Sequence, residues 1–393
     1  MDKLLTMSNR EITRMEAMQR IKEKRLTQKE AARMLNLSVR QIRRLYRAYK
    51  AEGAKGLISA RRGKPSNHRL AEAVWQQTLD LLKEKYVDFG PTLAHEKLTE
   101  VEGMRLSRES VRKLMIAEDL WKPKRAKKAT THPMRERRAC FGELVQIDGS
   151  EHAWFEGRGP KCTLLVYIDD ATGKLLELRF VPEETTFAYF EACRAYFERS
   201  GKPVAFYSDR HGIFRVNQPR PLGLSSGLTQ FGRAMQALDI QILCAHSPQA
   251  KGRIERANQT LQDRLVKELR LRGISDMQAG NAYLPEFWED FNRRFAVAPR
   301  STHDAHRPLL QTDNLDLILT HQETRTLSKN LTVQFKHVVY QIQSNRPDYA
   351  LRNAKVTVCE NTKEEVTILY KDNPLTYTLY HKAPRQAEVA DTK

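Results

Sequence analysis

The sequence predicts a multidomain chain. Helical modules of helix-turn-helix type come first, an α/β core follows, and a small β-barrel-like domain ends the chain. Three observations carry this. At 393 residues the chain exceeds one compact unit of roughly 150 residues. Of its formal net charge of +19, nearly all falls in the first 140 residues, where 34 Lys/Arg face 17 Asp/Glu. At Phe141 the apolar pattern changes from helical spacing to short β-branched and aliphatic runs.

Composition narrows the classes. Hydrophobic residues at 40% and aromatics at 8% exclude a wholly disordered chain. The basic excess points to a polyanionic partner, a nucleic acid or an acidic membrane surface. Five cysteines without paired CxxC spacing exclude a disulfide framework and a zinc knuckle. The opening "MDKLLTMSNREI" turns polar too soon for a signal peptide, and no run reaches the roughly 20 apolar residues of a membrane span, so the cytoplasm is the default compartment.

Residues 1–58 are read as a helix-turn-helix DNA-binding domain. In "LTQKEAARMLNLSVRQIRRLYRAYKAEG", Thr27 caps a first helix that turns Ala31, Ala32 and Leu35 inward. Asn36 and Leu37 turn the chain, and Ser38 caps a second helix with Val39, Ile42, Leu45, Tyr46 and Tyr49 on its inner face. Arg40, Gln41, Arg43, Arg44 and Arg47 then lie outward, set for phosphates and base edges of double-stranded DNA. A plain amphipathic helix pair is the bland alternative. Residues 59–69 form a basic linker, with Arg61, Arg62 and Lys64 placed as a minor-groove arm or as an ordinary solvated connector.

Residues 70–121 are a second helical DNA-binding domain or a structural connector. A helix starts near Pro91, the chain turns at Gly103, and Ser107 caps a helix with Arg108, Arg112 and Lys113 outward. The stretch 122–140 is a linker whose Lys124, Arg125, Lys127 and Lys128 no core could absorb, suited to tracking a phosphate backbone.

From 141 to 300 the order is three strands, helix, strand, helix, strand, helix, and then a further amphipathic helix. "ELVQID", "CTLLVYIDD" and "KLLELRFV" read as consecutive antiparallel strands, and "PVAFYSD" and "QILCAH" as later ones. Asp148 closes the first strand, Asp209 closes a later one, and Glu255 stands early on a helix, beside a buried stripe of Ile254, Ala257, Leu261 and Leu265. Strand ends of an α/β sheet open onto a common crevice, so the three acids converge. They tolerate one another if divalent cations lie between them. Oxygen-only ligands suit Mg²⁺ or Mn²⁺, and two such ions serve phosphodiester displacement.

Neighbouring residues have other readings. Asp169 and Asp170, before Ala-Thr-Gly, are turn formers, and Asp239 is a cap or turn. His152, His211 and His246 lack HxxxH spacing and are read as positioning DNA or capping a loop, with a metal ligand as the alternative. Trp154 either packs in the core or contacts an unpaired base. Arg210, Lys251, Arg253 and Arg256 are read as cations that grip phosphates, and Ser247 and Pro248 fit a helix start.

The blocks "VQIDGS", "YSDRHG" and "SPQAKGRIERANQTLQDRL" together resemble the DDE catalytic core of transposases and retroviral integrases. The surrounding "DGSEHAWFEGRGPKCTLLVYIDDATGK" is most similar to the ISNCY family of bacterial insertion-sequence transposases. The resemblance runs from the first helix-turn-helix to the C-terminal strands. It implies an RNase H-like core, Asp148, Asp209 and Glu255 as the catalytic, metal-binding triad, and cut-and-join chemistry on transposon ends. It also implies a homodimer or homotetramer on DNA and a bacterial, nucleoid-associated location. Asp209 and Glu255 lie 46 positions apart, more than is usual in retroviral integrases, and the Pro/Gly/Ser-rich "NQPRPLGLSSGL" accounts for the excess. Two other classes remain: a catalytically inactive helix-turn-helix regulator, and an RNase H-like nuclease without strand transfer.

After a connector over 301–330, the β-rich runs "LTVQFKHVVYQI", "AKVTVCE", "EEVTILYK" and "LTYTLYH" place the barrel-like domain at 331–382, with a frayed tail over 383–393.

Overall fold

The computed structural model describes residues 5–63, 70–123, 136–216, 227–244, 252–343 and 351–380. The expectations for Lys64, Lys124, Arg125, Lys127, Lys128, His246, Ser247, Pro248 and Lys251 lie outside the described residues. The chain divides into two compact units, Met1–Lys124 and Arg125–Lys393.

The first unit is helical. Before the predicted pair comes a helix the sequence pattern did not single out, α1 (Asn9–Lys22); α2 (Gln28–Met34) and α3 (Val39–Glu52) follow. Thr27 accepts from the Glu30 amide while Glu30 returns to the Thr27 amide at 2.8 Å, a reciprocal cap worth about 1 kcal/mol. Ser38 caps α3 through the Gln41 amide, and Asn36 turns the chain at φ 50°. Ala17, Met18, Ile21, Ala31, Ala32, Ile42 and Leu57 are buried together, which leaves the arginine face of α3 outside. The second group, α4 (Glu72–Glu84), α5 (Pro91–Glu100) and α6 (Arg108–Ala117), has its own core around Leu82, Phe89, Leu98 and Leu114. As predicted, Pro91 opens α5, Gly103 takes φ 67° and Ser107 caps α6.

The second unit holds two sheets. In the first, β1 (Leu144–His152), β2 (Cys162–Asp169), β3 (Leu175–Val181), β4 (Ala205–Ser208) and β5 (Gln241–Cys244) lie in the order β3-β2-β1-β4-β5. The first three are antiparallel, as read from the sequence, while β4 and β5 join parallel. Helices α7 (Thr186–Ser200) and α8 (Gln230–Ala237) share one aromatic-rich core with the sheet, built on Tyr167, Tyr189, Phe206 and Phe231. Helices α9 (Gly252–Leu271) and α10 (Met277–Phe295) share another, built on Leu164, Val166, Leu261, Leu265 and Phe287. Trp154 is fully buried in that second core and donates its indole N–H to the Ser150 carbonyl, so it is a packing residue and no base contact.

The second sheet is antiparallel, β6 (His321–Thr326), β7 (Thr332–Phe335), β8 (Val338–Gln343), β9 (Lys355–Glu360), β10 (Val366–Tyr370) and β11 (Asn373–Tyr380), in the order β6-β9-β10-β11-β8-β7. It wraps a core of Val333, Tyr340, Val356, Val358 and Ile368 and is barrel-like and nearly closed. Strand β6 falls in the stretch read as connector, because "HQETRT" has no apolar alternation to announce a strand. The rest of that connector packs on the first sheet: Leu315 and Leu319 of the short helix α11 (Leu315–Ile318) and its end enter the α7/α8 core, and buried Lys202 pairs with Asp313 at 2.5 Å.

Arg62 departs from the free arm expected of it. Its guanidinium is held by Glu11 and the Thr6 carbonyl. Backbone N–H groups of Ser8 and Ser59, with Arg62, hold the Glu11 carboxyl down to about 2. A carboxylate lowered on folding stabilises the fold above its ordinary value of about 4.3 and loses that contribution as pH falls toward 2. Hydrogen exchange on the full chain is therefore expected to show protection of α1 and the Ser59 amide falling over that window. Glu11→Gln should lower protection at neutral pH and flatten its pH dependence; an unchanged profile would contradict the pairing.

Candidate catalytic site and nucleic-acid interface

Strands β1 and β4 run parallel through the pairs Leu144↔Ala205, Val145↔Phe206 and Gln146↔Tyr207. Asp148 and Asp209 each stand two residues beyond the last of these pairs. On strands about 4.8 Å apart, side chains in matching positions share a face. Strand β4 ends at Ser208, whereas β1 continues to His152 on its β2 side. Asp148 therefore does not close its strand, as its sequence suggested. It sits mid-strand, where β1 loses its parallel neighbour.

Both carboxylates are half-buried. Asp209 accepts from the His211 amide at 2.8 Å, which fixes the turn after β4. Asp148 accepts from the Asn258 side chain of α9 at 3.0 Å. Each is near enough to the Tyr189 hydroxyl to help disfavour its ionisation: burial, then Glu184, then Asp148 and Asp209 push that phenol well up. Glu184 is a fourth acid that the sequence reading missed. Tyr189 donates to it at 2.6 Å, and its carboxylate lies so close to Gly149 that a Cβ there would collide with it. Only the Gly after Asp148, which leaves room for a neighbour, hinted at such crowding.

Glu255 stands exposed on the first turn of α9, one turn before Asn258. Asp148 and Asp209 thus both act on Tyr189, and Glu255 lies one turn of α9 from Asn258, the partner of Asp148. Among the described residues no three His, Cys, Asp or Glu side chains stand close enough to form a ready metal cluster. The chemistry of the side chains nonetheless fits a hard divalent ion, since Asp148 and Asp209 are half-buried carboxylates that offer only oxygen.

The cations divide. Arg210 is exposed beside Asp209. Arg253, read as a phosphate contact, instead turns inward to Asp170 at 2.7 Å, with its side chain only 15% exposed. Asp169 and Asp170 are the turn formers expected, fully buried and satisfied from within: Asp169 takes the Thr172 amide and hydroxyl and the Gly142 amide. Asp239 is likewise a turn residue, at φ 56°. His152 packs edge-on against Trp154, and His211 is exposed.

On α3, Arg40, Arg43, Arg44 and Arg47 are all exposed at spacings that share one face. On α6, Arg108 and Lys113 are exposed, but Arg112 is forked onto Glu109 at 2.8 and 3.0 Å. Arg61 is exposed. Among the described residues no helix is long and apolar enough to cross a membrane.

Residues 14–76 match the winged helix-turn helix family. A protein of Sinorhizobium fredii (strain NBRC 101917 / NGR234) named "Putative transposase y4bF" is 45% identical over 98% of this chain and 84% of its own length. The transposase for insertion sequence IS1202 of Streptococcus pneumoniae is 29% identical over 84% of this chain and 78% of its own. Among solved structures, the HTLV-2 integrase catalytic core domain in complex with magnesium, in its trimeric form, is 19% identical and covers 37% of this chain and 84% of that one, at a TM-score of 0.27. A simian T-cell lymphotropic virus intasome in complex with the PP2A regulatory subunit B56 gamma is 13% identical over 78% and 100%, at 0.34. At such scores the fold rests on the strand order above, whereas the full-length match to the Sinorhizobium relative decides the family: the chain belongs to the transposases.

Proposed function

We propose that this transposase is a DDE enzyme with an RNase H-like core, of the ISNCY type, which binds terminal inverted repeats and both cuts and joins DNA strands. The observation that carries the reading is that Asp148 on β1 and Asp209 just past the end of parallel β4 each stand two residues beyond the Gln146↔Tyr207 pair, with Glu255 one turn of α9 before Asn258, the partner of Asp148. Asp148, Asp209 and Glu255 would hold Mg²⁺ or Mn²⁺. A pair of such ions held there would supply activation of the attacking oxygen and charge stabilisation of the leaving one.

The chain's own residues do the rest. Asn258 orients Asp148 through its Oδ2, and the His211 amide orients Asp209 through its Oδ1. Arg210 supplies a cation at the rim for a neighbouring phosphate. Arg40, Gln41, Arg43, Arg44 and Arg47, behind the Ser38 cap, face the major groove, with Arg61, Arg108 and Lys113 as auxiliary phosphate contacts. Phosphoryl transfer needs little covalent chemistry from a protein, so positioning and charge neutralisation suffice. Because two ends are cut together, a homodimer or homotetramer on double-stranded DNA is the working unit, in the cytoplasm at the nucleoid.

Two measurements test this. Asp148→Asn should abolish Mg²⁺-dependent cleavage of an inverted-repeat duplex while leaving its gel shift intact; retained nicking refutes the site. Binding without any product in the parent protein favours the inactive regulator, and cleavage without joined product favours a nuclease lacking strand transfer. Arg43→Ala and Arg47→Ala should each weaken binding and lower the slope of log K against log salt by about 1. An unchanged slope would remove α3 from the interface.

A further inference from the structure

Helix α9 and strand β1 touch through a polar ladder. The Ile254 amide, one of the N–H groups a helix start leaves without an intrahelical partner, donates to the Gln146 side chain at 3.3 Å. Asn258 donates to Asp148 at 3.0 Å, and Gln262 to the Ser150 hydroxyl at 3.1 Å. The rungs advance four residues on the helix, about 6 Å, for every two on the strand, about 6.6 Å. The two repeats nearly match, so three successive rungs stay aligned.

The foot of the ladder is anchored. Gln146, fully buried, passes its own N–H to Asp170 at 2.7 Å, and Asp170 also accepts from Arg253 at 2.7 Å and from the Arg138 amide at 2.9 Å. The apolar stripe of Ile254, Ala257, Leu261 and Leu265 buries α9 but is not directional, and it would tolerate sliding. Sliding by one turn would carry Glu255 about 5.4 Å along β1, whereas a metal ligand must be placed to about 0.2 Å. It would also leave the buried Gln146 amide and the Asp170 carboxylate with lost partners.

We infer that Gln146, Ser150 and Gln262, together with the Arg253–Asp170 pair, are positioning residues that fix the register of α9 on β1 and so the place of Glu255 beside Asp148 and Asp209. This rests on the acidic-site reading proposed above. None of the five is offered as a metal ligand; they act through the helix.

The test is Mn²⁺ binding by the full chain, read from the paramagnetic resonance signal of the free ion, alongside thermal melting and cleavage kinetics. Gln262→Leu and Ser150→Ala should each bind Mn²⁺ roughly tenfold more weakly. The double variant should bind no worse than either single one, since both remove the same rung. Ser150→Thr, which keeps the hydroxyl, should restore affinity. Cleavage kcat should fall with KM for DNA unchanged. Wild-type affinity in both single variants, with Asp148→Asn abolishing binding, overturns the register role alone. Failure of the parent protein to bind Mn²⁺ overturns the acidic site and this inference with it. Should Gln262→Leu melt early, Ser150→Ala, which removes a single oxygen, decides the matter.

Discussion

A carboxylate taken out of water must be compensated, and the central sheet answers that demand in two opposite ways within one hairpin and its neighbour. Asp169 and Asp170 are sunk completely, at the end of β2, and the protein supplies every partner they need. Burial still raises the Asp169 carboxyl above its ordinary value, even against the hydrogen bonds from Thr172 and Gly142. Asp148 and Asp209 instead stay half in solvent, where β4 stops and β1 goes on. The first pair is satisfied from within the fold, and the second stays at the solvent edge of the sheet.

The two pairs are mechanically joined. Asp170 holds Gln146, Gln146 holds the Ile254 amide in the first turn of α9, and two residues further along β1 lies Asp148 itself. A turn that looked merely structural thus holds the first turn of α9. Glu184 adds crowding from the opposite side, pressed against Gly149 and tied to Tyr189, so acids approach Asp148 from more than one element. Such concentration of negative charge is tolerable near solvent and would be costly in a sealed core.

What could be read from the sequence was local or periodic. Caps at Thr27, Ser38 and Ser107, turns at Asn36 and Gly103, and the order of strands and helices in the core follow from spacings of a few residues. What escaped reading depends on contacts between distant positions. Arg253 lies 83 residues from Asp170, and nothing near "GRIER" distinguishes an arginine aimed inward from one aimed at DNA. Arg62 meets Glu11 across 51 residues, for the same reason. Strand β6 was missed because an exposed edge strand need not alternate. That Asp148 stands mid-strand, where β1 outruns its parallel neighbour β4, was not anticipated.

The same distinction separates the two helical modules. Both have a capped outer helix with basic residues, and by sequence they are near equivalents. On α6, however, Glu109 grips Arg112 with both oxygens and approaches Lys113 at 3.9 Å, so a phosphate arriving there must displace a partner already in place. On α3 the stretch "VRQIRRLYRAYK" contains no acid, and its four arginines are exposed on one face. Phosphate binding draws its strength from releasing condensed counterions, which requires protein cations not already neutralised. The proposed reading of DNA therefore falls chiefly on α3, and α6 contributes more through its buried Val111, Leu114 and Met115 than through its charge.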